Sequence, residues 1–245
     1  MDRYKDKGNE GELFEMDWFT NVKQFETILN EDEYGNMDFE IKYQDKLVAV
    51  MDAKNKVCMD KRPAQGINLY SFIMYICKAS LFKVPALVTF KDDKEGINRM
   101  YTVDLTYLCK LHLSEIKLRQ GTQQRTGKKL LQVEVPLRLC GTLKDMSGTP
   151  CNIPALNNSS TTVYLTALKQ GVYFPDTVTD IDGTEVQSRL CKAKRIIRPE
   201  EILDMLLKEL KEQDKAFLDK LLKEFISDKI PLIKDKLQDI QRGIK

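Results

Sequence analysis

A predicted β-hairpin is the feature that most constrains the fold. Residues 37–43 alternate between apolar and polar side chains, and residues 47–51 form a continuous apolar run. Alternation is typical of a half-buried strand, and an apolar run bounded by polar residues is typical of a central strand. Gln44, Asp45 and Lys46 lie between the two segments, where a hairpin needs its turn. The sequence therefore predicts a sheet built around this hairpin.

Further segments place this hairpin among helices and strands. Apolar residues recur at steps of three and four from Phe14 to Leu29, which predicts an amphipathic helix over about residues 9–29. After the hairpin we expect a helix and then two strands, over about residues 65–82, 84–90 and 99–105.

The second half of the chain has a different pattern of apolar and polar residues. Residues 106–195 favour short strands and loops, including a hairpin over 117–135. A helical segment is expected from Pro199, since proline suits the first helical position, and Pro231 is expected to separate a final short helix.

These patterns predict three parts. Residues 1–108 form an α/β (α+β) core, residues 109–198 a β-rich extension that is a candidate for DNA binding, and residues 199–245 a helical tail. The charge of the tail is balanced, so we expect its Leu/Phe stripe to pack on the core or on a second subunit.

Composition limits the class of protein. The chain has 245 residues, of which 42% are hydrophobic and 31% charged, as expected for a folded globular protein. The polar start carries no signal segment, and the longest apolar stretch, about residues 67–82, is too short and too polar to span a bilayer. We therefore expect a cytoplasmic protein that does not bind membranes.

Histidine and cysteine usage excludes several chemistries. His112 is the single histidine, so mechanisms that need two histidines are excluded. The six cysteines form no CxxC pair, which argues against a structural zinc site. Any catalysis would depend on carboxylates, lysine and a metal ion.

Charge is unevenly distributed along the chain. Residues 1–60 carry 8 basic and 15 acidic side chains, whereas residues 61–130 carry 13 basic and 5 acidic ones. An acidic segment beside a basic one fits a carboxylate metal site next to a polyanion-binding surface, and it also fits chance.

Two aspartates and a lysine flank the predicted hairpin. Asp52 and Lys54 are two residues apart on one strand, so their side chains share a face, and Asp38 opens the neighbouring strand. The hairpin would bring Asp38 to the same end of the sheet. Two carboxylates with the intervening backbone carbonyl form an oxygen site suited to Mg²⁺. Each residue taken singly could equally be a solvated charge at a strand end.

These residues resemble the motifs of the PD-(D/E)XK nuclease superfamily, and in particular its RecU-type Holliday junction resolvases. The similarity covers about residues 8–108. It comprises a G-x-x-F-E helix opening at 11–15, Asp38, the D-x-K strand end at 52–54, Gln65, and the helix and strand that follow. The resemblance implies a restriction-endonuclease-like mixed sheet with αβββαβ-type order.

The resemblance also implies roles for individual residues. It assigns Asp38 and Asp52 to the metal, Glu15 to the metal or its water, Lys54 to catalysis, and Gln65 to the site. The metal would be Mg²⁺, with Mn²⁺ as a substitute. Glu10 and Glu12 are alternatives to Glu15, although Glu12 is expected to point largely away from the sheet.

A basic hairpin provides candidate DNA contacts. Its members are Lys117, Arg119, Arg125, Lys128 and Lys129. A hairpin of this charge fits DNA phosphates, and an ordinary solvated hairpin is the alternative. A second basic cluster, around Lys192–Arg198, has the same two interpretations.

The sequence thus favours a Mg²⁺-dependent DNA endonuclease, selective for branched DNA and working as a homodimer. A type II restriction endonuclease acting on duplex DNA is one alternative. A catalytically inactive nucleic-acid-binding or assembly protein with the same fold is the other.

Overall fold

The structure is a computed structural model. It describes residues 12–13, 16–22, 24–30, 37–55, 64–92, 99–111, 115–122, 126–137, 141–143, 169, 177–179, 185–187, 197–208 and 212–243. Among these, residues 12–13 and 16–17 are helical and continue into a π-helical turn, Trp18–Val22. No helix of the described part is both long and apolar enough to cross a membrane.

Strands and helices follow in an order close to the expected one. The strands are β1 (Glu26–Leu29), β2 (Phe39–Tyr43), β3 (Lys46–Asn55), β4 (Ala64–Asn68), β5 (Ala86–Asp92), β6 (Arg99–Asp104), β7 (Lys117–Thr122), β8 (Lys129–Pro136), β9 (Gly141–Leu143), β10 (Thr177–Thr179) and β11 (Glu185–Gln187). The helices are α1 (Leu69–Phe82), α2 (Leu105–Leu111), α3 (Pro199–Lys208) and α4 (Glu212–Gln241).

The main sheet is mixed. Its strand order is β1-β2-β3-β5-β6-β9, in which β3 and β5 pair in parallel and the other neighbours pair antiparallel. The parallel pair is joined by a crossover that contains α1, as parallel neighbours require. The predicted α/β class is confirmed: the core has a mixed sheet with αβββαβ order, followed by a β-rich insertion and a helical C-terminal tail.

The predicted central hairpin is confirmed as β2–β3. Gln44 and Asp45 both have positive φ, at 51° and 61°, as the two central residues of a tight hairpin turn of type I′ do. The strand pairing sets Phe39 opposite Met51. Asp38, the residue before Phe39, therefore lies beside the end of β3.

Helix α1 lies over one face of this sheet. The Asn68 side chain caps its first turn by accepting a hydrogen bond of 2.9 Å from the backbone N–H of Tyr70, and Lys83 ends it in a left-handed conformation. Most α1 side chains are buried, including Tyr75, because the helix is covered by the sheet on one side and by α3 and α4 on the other.

A second sheet and the helical tail complete the core. Strands β4, β8 and β7 form a three-stranded antiparallel sheet, in which β7 and β8 confirm the predicted hairpin over 117–135. The tail is fastened to α1 at Ile197, whose N–H donates to Ser80 Oγ at 2.8 Å and whose carbonyl accepts from Cys77 Sγ at 3.2 Å.

The predicted helix over 9–29 is wrong at its C-terminal end. The chain leaves the π-helical turn, Gln24 takes a φ of 61°, and residues 26–29 become β1, which pairs antiparallel with β2. The apolar residues of this segment are compatible with either a helix or a short strand, and the hydrogen bonds offered by the free edge of β2 favour the strand.

Two other boundaries also differ from expectation. The helix expected from residue 65 begins at Leu69, because residues 64–68 pair with β8 as strand β4. Pro231 does not separate a final helix: it lies inside α4, which continues to Gln241.

Candidate active site

The end of β3 carries the acid and the lysine that the sequence singled out. Val50 packs in the core cluster that contains α1, so Asp52 and Lys54, two and four residues further along the strand, face α1 as well. The Asp52 side chain is 1% exposed and that of Lys54 is 27% exposed. A charged carboxylate therefore lies inside the protein, with a lysine between it and the surface.

Asp52 is held by two neighbours. Lys54 Nζ donates to Asp52 Oδ1 at 2.7 Å and lies 2.6 Å from Oδ2, so it straddles the carboxylate. The Tyr75 hydroxyl, on α1, donates a second hydrogen bond of 2.7 Å to Oδ1. Asp52 Oδ2 is buried and accepts no hydrogen bond from the described residues, among which its compensation is the ion pair with Lys54.

Asp38 lies at the same end of the hairpin. Its Oδ2 accepts a hydrogen bond of 2.7 Å from the backbone N–H of Ala53, the residue between Asp52 and Lys54. The structure thus brings together the three residues Asp38, Asp52 and Lys54, as the hairpin predicted. Their chemical roles remain predictions.

The charges of this group shift one another's proton affinity. Burial, followed by the repulsion of Asp52, raises the pKa of Asp38 from 3.8 to about 7. Burial disfavours the ammonium of Lys54, but the negative charge of Asp52 outweighs this effect and raises the lysine pKa above its usual 10.5. The neighbours of Lys54 therefore favour its charged form.

Tyr75 is a member of this group that the sequence did not reveal. Burial and the Asp52 charge raise its pKa above 10, so its hydroxyl keeps the proton that it donates to Asp52. Tyr75 lies 23 positions from Asp52 within an apolar helix, where an aromatic residue is usually a core residue. Only the crossing of α1 over β3 indicates its role.

Among the described residues, Glu12 is a helix acid within electrostatic reach of this group. Burial raises its pKa, Lys54 lowers it and Asp52 raises it again, which places Glu12 within electrostatic reach of both. Glu12 was expected to point largely away from the sheet, and its electrostatic interaction with Lys54 and Asp52 differs from that expectation. The preferred candidate Glu15, and also Glu10, lie outside the described residues.

Gln65 lies in a strand and not at the start of a helix, where it was expected. It is 2% exposed and belongs to β4, opposite Val135, rather than to the start of a helix. The helix-start position is occupied by Asn68, which caps α1.

The carboxylates fit a divalent cation in chemistry. Asp38 and Asp52 offer the hard oxygen ligands that Mg²⁺ prefers, although the Lys54 ammonium lies 2.6 Å from Asp52 Oδ2. The pKa of Asp38 is raised by burial first and by the repulsion of Asp52 second, and a bound cation would relieve that repulsion. Within the described ranges, no three His, Cys, Asp or Glu side chains already form a group that could hold a metal ion.

The predicted DNA contacts occupy the β7–β8 hairpin. Lys117, Lys128 and Lys129 are exposed, whereas Arg119 donates from Nε to Glu134 Oε2 at 2.5 Å and so holds a buried carboxylate. Arg125 and the Lys192–Arg195 part of the second basic cluster lie outside the described residues, and Arg198 is exposed.

Lys129 also lines a groove between β8, the first turn of α1 and α4. Two further lysines of α4, Lys229 and Lys236, line it together with Glu224 and Asp228. Its charge is mixed, so the groove is a less obvious phosphate surface than the hairpin itself.

Comparisons with known proteins add little to this geometry. The sequence matches no family description and no curated protein. The chain is similar to the solved structure of Hjc, a Holliday junction resolvase from the hyperthermophilic archaeon Archaeoglobus fulgidus, at 11% identity and a TM-score of 0.35, over 58% of this chain and 99% of that one. A likeness of this TM-score carries no argument about fold or function.

Proposed function

We propose that this chain is a metal-dependent nuclease that hydrolyses phosphodiester bonds in DNA, with Mg²⁺ as the physiological ion and Mn²⁺ as a substitute. The observation that carries the proposal is the buried Asp52, whose carboxylate contacts Lys54. Asp38 lies on the neighbouring strand and accepts a hydrogen bond from Ala53, the residue after Asp52. Burying charges in this way is costly, and strongly shifted ionisable groups concentrate at functional sites.

Asp38 and Asp52 are the proposed ligands of the ion, with Glu12 as a third acid within electrostatic reach. A bound divalent ion supplies Lewis-acid polarisation of a phosphodiester and a more acidic water. Lys54 supplies a positive charge that can stabilise the charge developing on phosphorus, and its raised pKa favours this charged form. Tyr75 orients Asp52.

We propose DNA, in its branched form, as the substrate, held in part by Lys117, Lys128 and Lys129 of the β7–β8 hairpin. A homodimer is proposed with it, because two-fold symmetry would present two sites to two strands. Sedimentation of the purified chain tests the dimer.

Cleavage assays test the proposal and its first rival. The purified chain is incubated with a labelled four-way junction and with a linear duplex of the same sequence, with Mg²⁺ and with EDTA. The proposal predicts metal-dependent cleavage that is faster on the junction. Cleavage of the linear duplex at fixed sequences would instead support a type II restriction endonuclease.

One observation favours a second candidate, a catalytically silent DNA-binding or assembly protein. Lys54 already contacts both oxygens of Asp52, which is also how a purely structural buried ion pair looks. This candidate predicts salt-dependent DNA binding without cleavage under any metal condition.

Charge reversal tests the hairpin. Lys128→Glu with Lys129→Glu should weaken DNA affinity at least about tenfold and flatten its salt dependence, because two phosphate-neutralising charges are lost. Lys220→Glu with Lys223→Glu, on the exposed face of α4, makes the same charge change as a control. An equal loss of DNA affinity in the two double variants would mean that the hairpin makes no specific contribution to DNA binding.

A further inference from the structure

The ion pair between Lys54 and Asp52 affects how a cation can bind to Asp52. Its Nζ lies 2.7 Å from Oδ1 and 2.6 Å from Oδ2, so the ammonium occupies the position in front of the carboxylate. Tyr75 donates to Oδ1 from α1, which leaves this oxygen with two donors. In the part of the chain that the structure describes, no group donates a hydrogen bond to Oδ2, which faces the same ammonium.

A divalent cation on either oxygen of Asp52 would lie within a few ångströms of this ammonium. Two cations a few ångströms apart repel each other strongly, and more so where the dielectric is low, as around a side chain that is 1% exposed. The Lys54 side chain can move away from Asp52. It is 27% exposed, and a four-carbon stem can rotate its ammonium toward solvent.

We propose that Lys54 competes with the divalent cation for Asp52 and must swing outward before the ion binds. The lysine thus sets the metal affinity of the site, which it lowers. This inference rests on the proposed function for the identity of the ion, and it adds that Lys54 acts against metal loading before it acts in any reaction.

Calorimetric titration of the full chain with Mn²⁺, without DNA, tests the competition. Lys54→Ala should bind Mn²⁺ at least about tenfold more tightly than the wild type, and Lys54→Arg, which keeps the charge, should not. The matched control is Lys42→Ala: Lys42 is also a strand lysine beside an acid, 3.9 Å from Glu40, and 29% exposed. Its loss should leave the affinity unchanged. An unchanged or weaker affinity in Lys54→Ala would overturn the proposal.

A measurement on the wild type avoids the risk that Lys54→Ala fails to fold. Acetylation by an amine-reactive ester is followed residue by residue with and without Mn²⁺. Addition of Mn²⁺ should raise the rate at Lys54 severalfold and leave the rate at Lys42 unchanged. A rate at Lys54 that is unchanged or lower under saturating Mn²⁺ would contradict the outward swing.

The two proposals fail separately. Tighter Mn²⁺ binding by Lys54→Ala in a protein that cuts no DNA would support the competition and refute the nuclease. Metal-dependent cleavage by the wild type, with no gain in affinity for Lys54→Ala, would refute the competition alone.

Discussion

The site is arranged around the buried carboxylate of Asp52, which both Lys54 and Tyr75 contact. Removing a charge from water costs several kcal/mol, and partners repay that cost only when their geometry is good. Here Lys54 and Tyr75 provide the compensation. Loss of either partner should therefore be felt both in stability and in the position of the carboxylate.

Tyr75→Phe removes one hydrogen bond to a charged acceptor without leaving a large cavity. We expect a loss of about 1.5–3 kcal/mol in the free energy of unfolding, measured by urea denaturation. Tyr43→Phe, in a half-buried tyrosine packed against Phe25, is the control and should cost less than about 1 kcal/mol. Equal costs for both variants would mean that the bond to Asp52 contributes nothing.

Asp38 makes stability depend on pH. Its pKa in the folded protein, about 7, lies above the ordinary aspartate value of 3.8, so between these values the folded state binds more protons than the unfolded state. Stability should therefore fall as pH rises through this window and should not recover above it.

Asp38→Asn removes this effect while keeping an oxygen for the N–H of Ala53. We expect its Tm to exceed that of the wild type at pH 8 and to match it at pH 4, with a shift of about 2–4 °C for each kcal/mol. Asp45→Asn, in the exposed hairpin turn, should show no such pH dependence. A Tm difference that is the same at both pH values would contradict the assignment.

At the level of elements, helix α4 continues through a proline. Pro231 cannot donate the hydrogen bond of an interior helical residue, yet it is exposed and its neighbours Ile230 and Ile233 are buried. The packing of these neighbours keeps the helix continuous. This is why Pro231, which favours a break by local rules, does not end the helix.

Pro231→Ala should therefore stabilise the protein by about 1–3 kcal/mol, because alanine restores the donor and has the best helix propensity. Thermal denaturation measures the change. Lys229→Ala, at an exposed position of the same helix, should change stability by less than about 0.5 kcal/mol. A Pro231→Ala variant no more stable than the wild type would indicate that the helix is already interrupted there.

The elements that were predicted correctly are those whose signal is local. The β2–β3 hairpin has alternation, an apolar run and a two-residue turn within 20 residues, so the proximity of Asp38 to Asp52 and Lys54 followed from it. Strands β1 and β4 were missed because they exist through pairing with β2 and β8. Tyr75 was missed because its relation to Asp52 depends on how separate segments pack, whereas Glu12 was already an alternative to Glu15.

At the scale of the whole molecule, the tail belongs to the main core. The hydrophobic cluster around α1 includes Leu206 of α3 and Phe225 of α4, along with side chains of both sheets. The helix that carries Tyr75 is thus supported from both sides. Substitutions that loosen the packing of the tail should therefore alter the position of Tyr75, because both pack with α1.

Leu206→Ala tests this support. Leu206 is 3% exposed, and its truncation should cost about 2–5 kcal/mol in the free energy of unfolding. Ile226→Ala, at a side chain 48% exposed on α4, is the control and should cost about 0.5 kcal/mol or less. Equal, small costs would mean that the tail does not stabilise the core.

The most direct test of the central claim is the rate of Mg²⁺-dependent cleavage of a four-way DNA junction by Asp52→Asn. The control is Asp45→Asn, the same chemical change in the exposed hairpin turn, with folding of both variants checked by thermal denaturation. We predict that Asp52→Asn loses at least about 100-fold in rate and that Asp45→Asn keeps the wild-type rate. Cleavage by a folded Asp52→Asn variant at the wild-type rate would contradict the account.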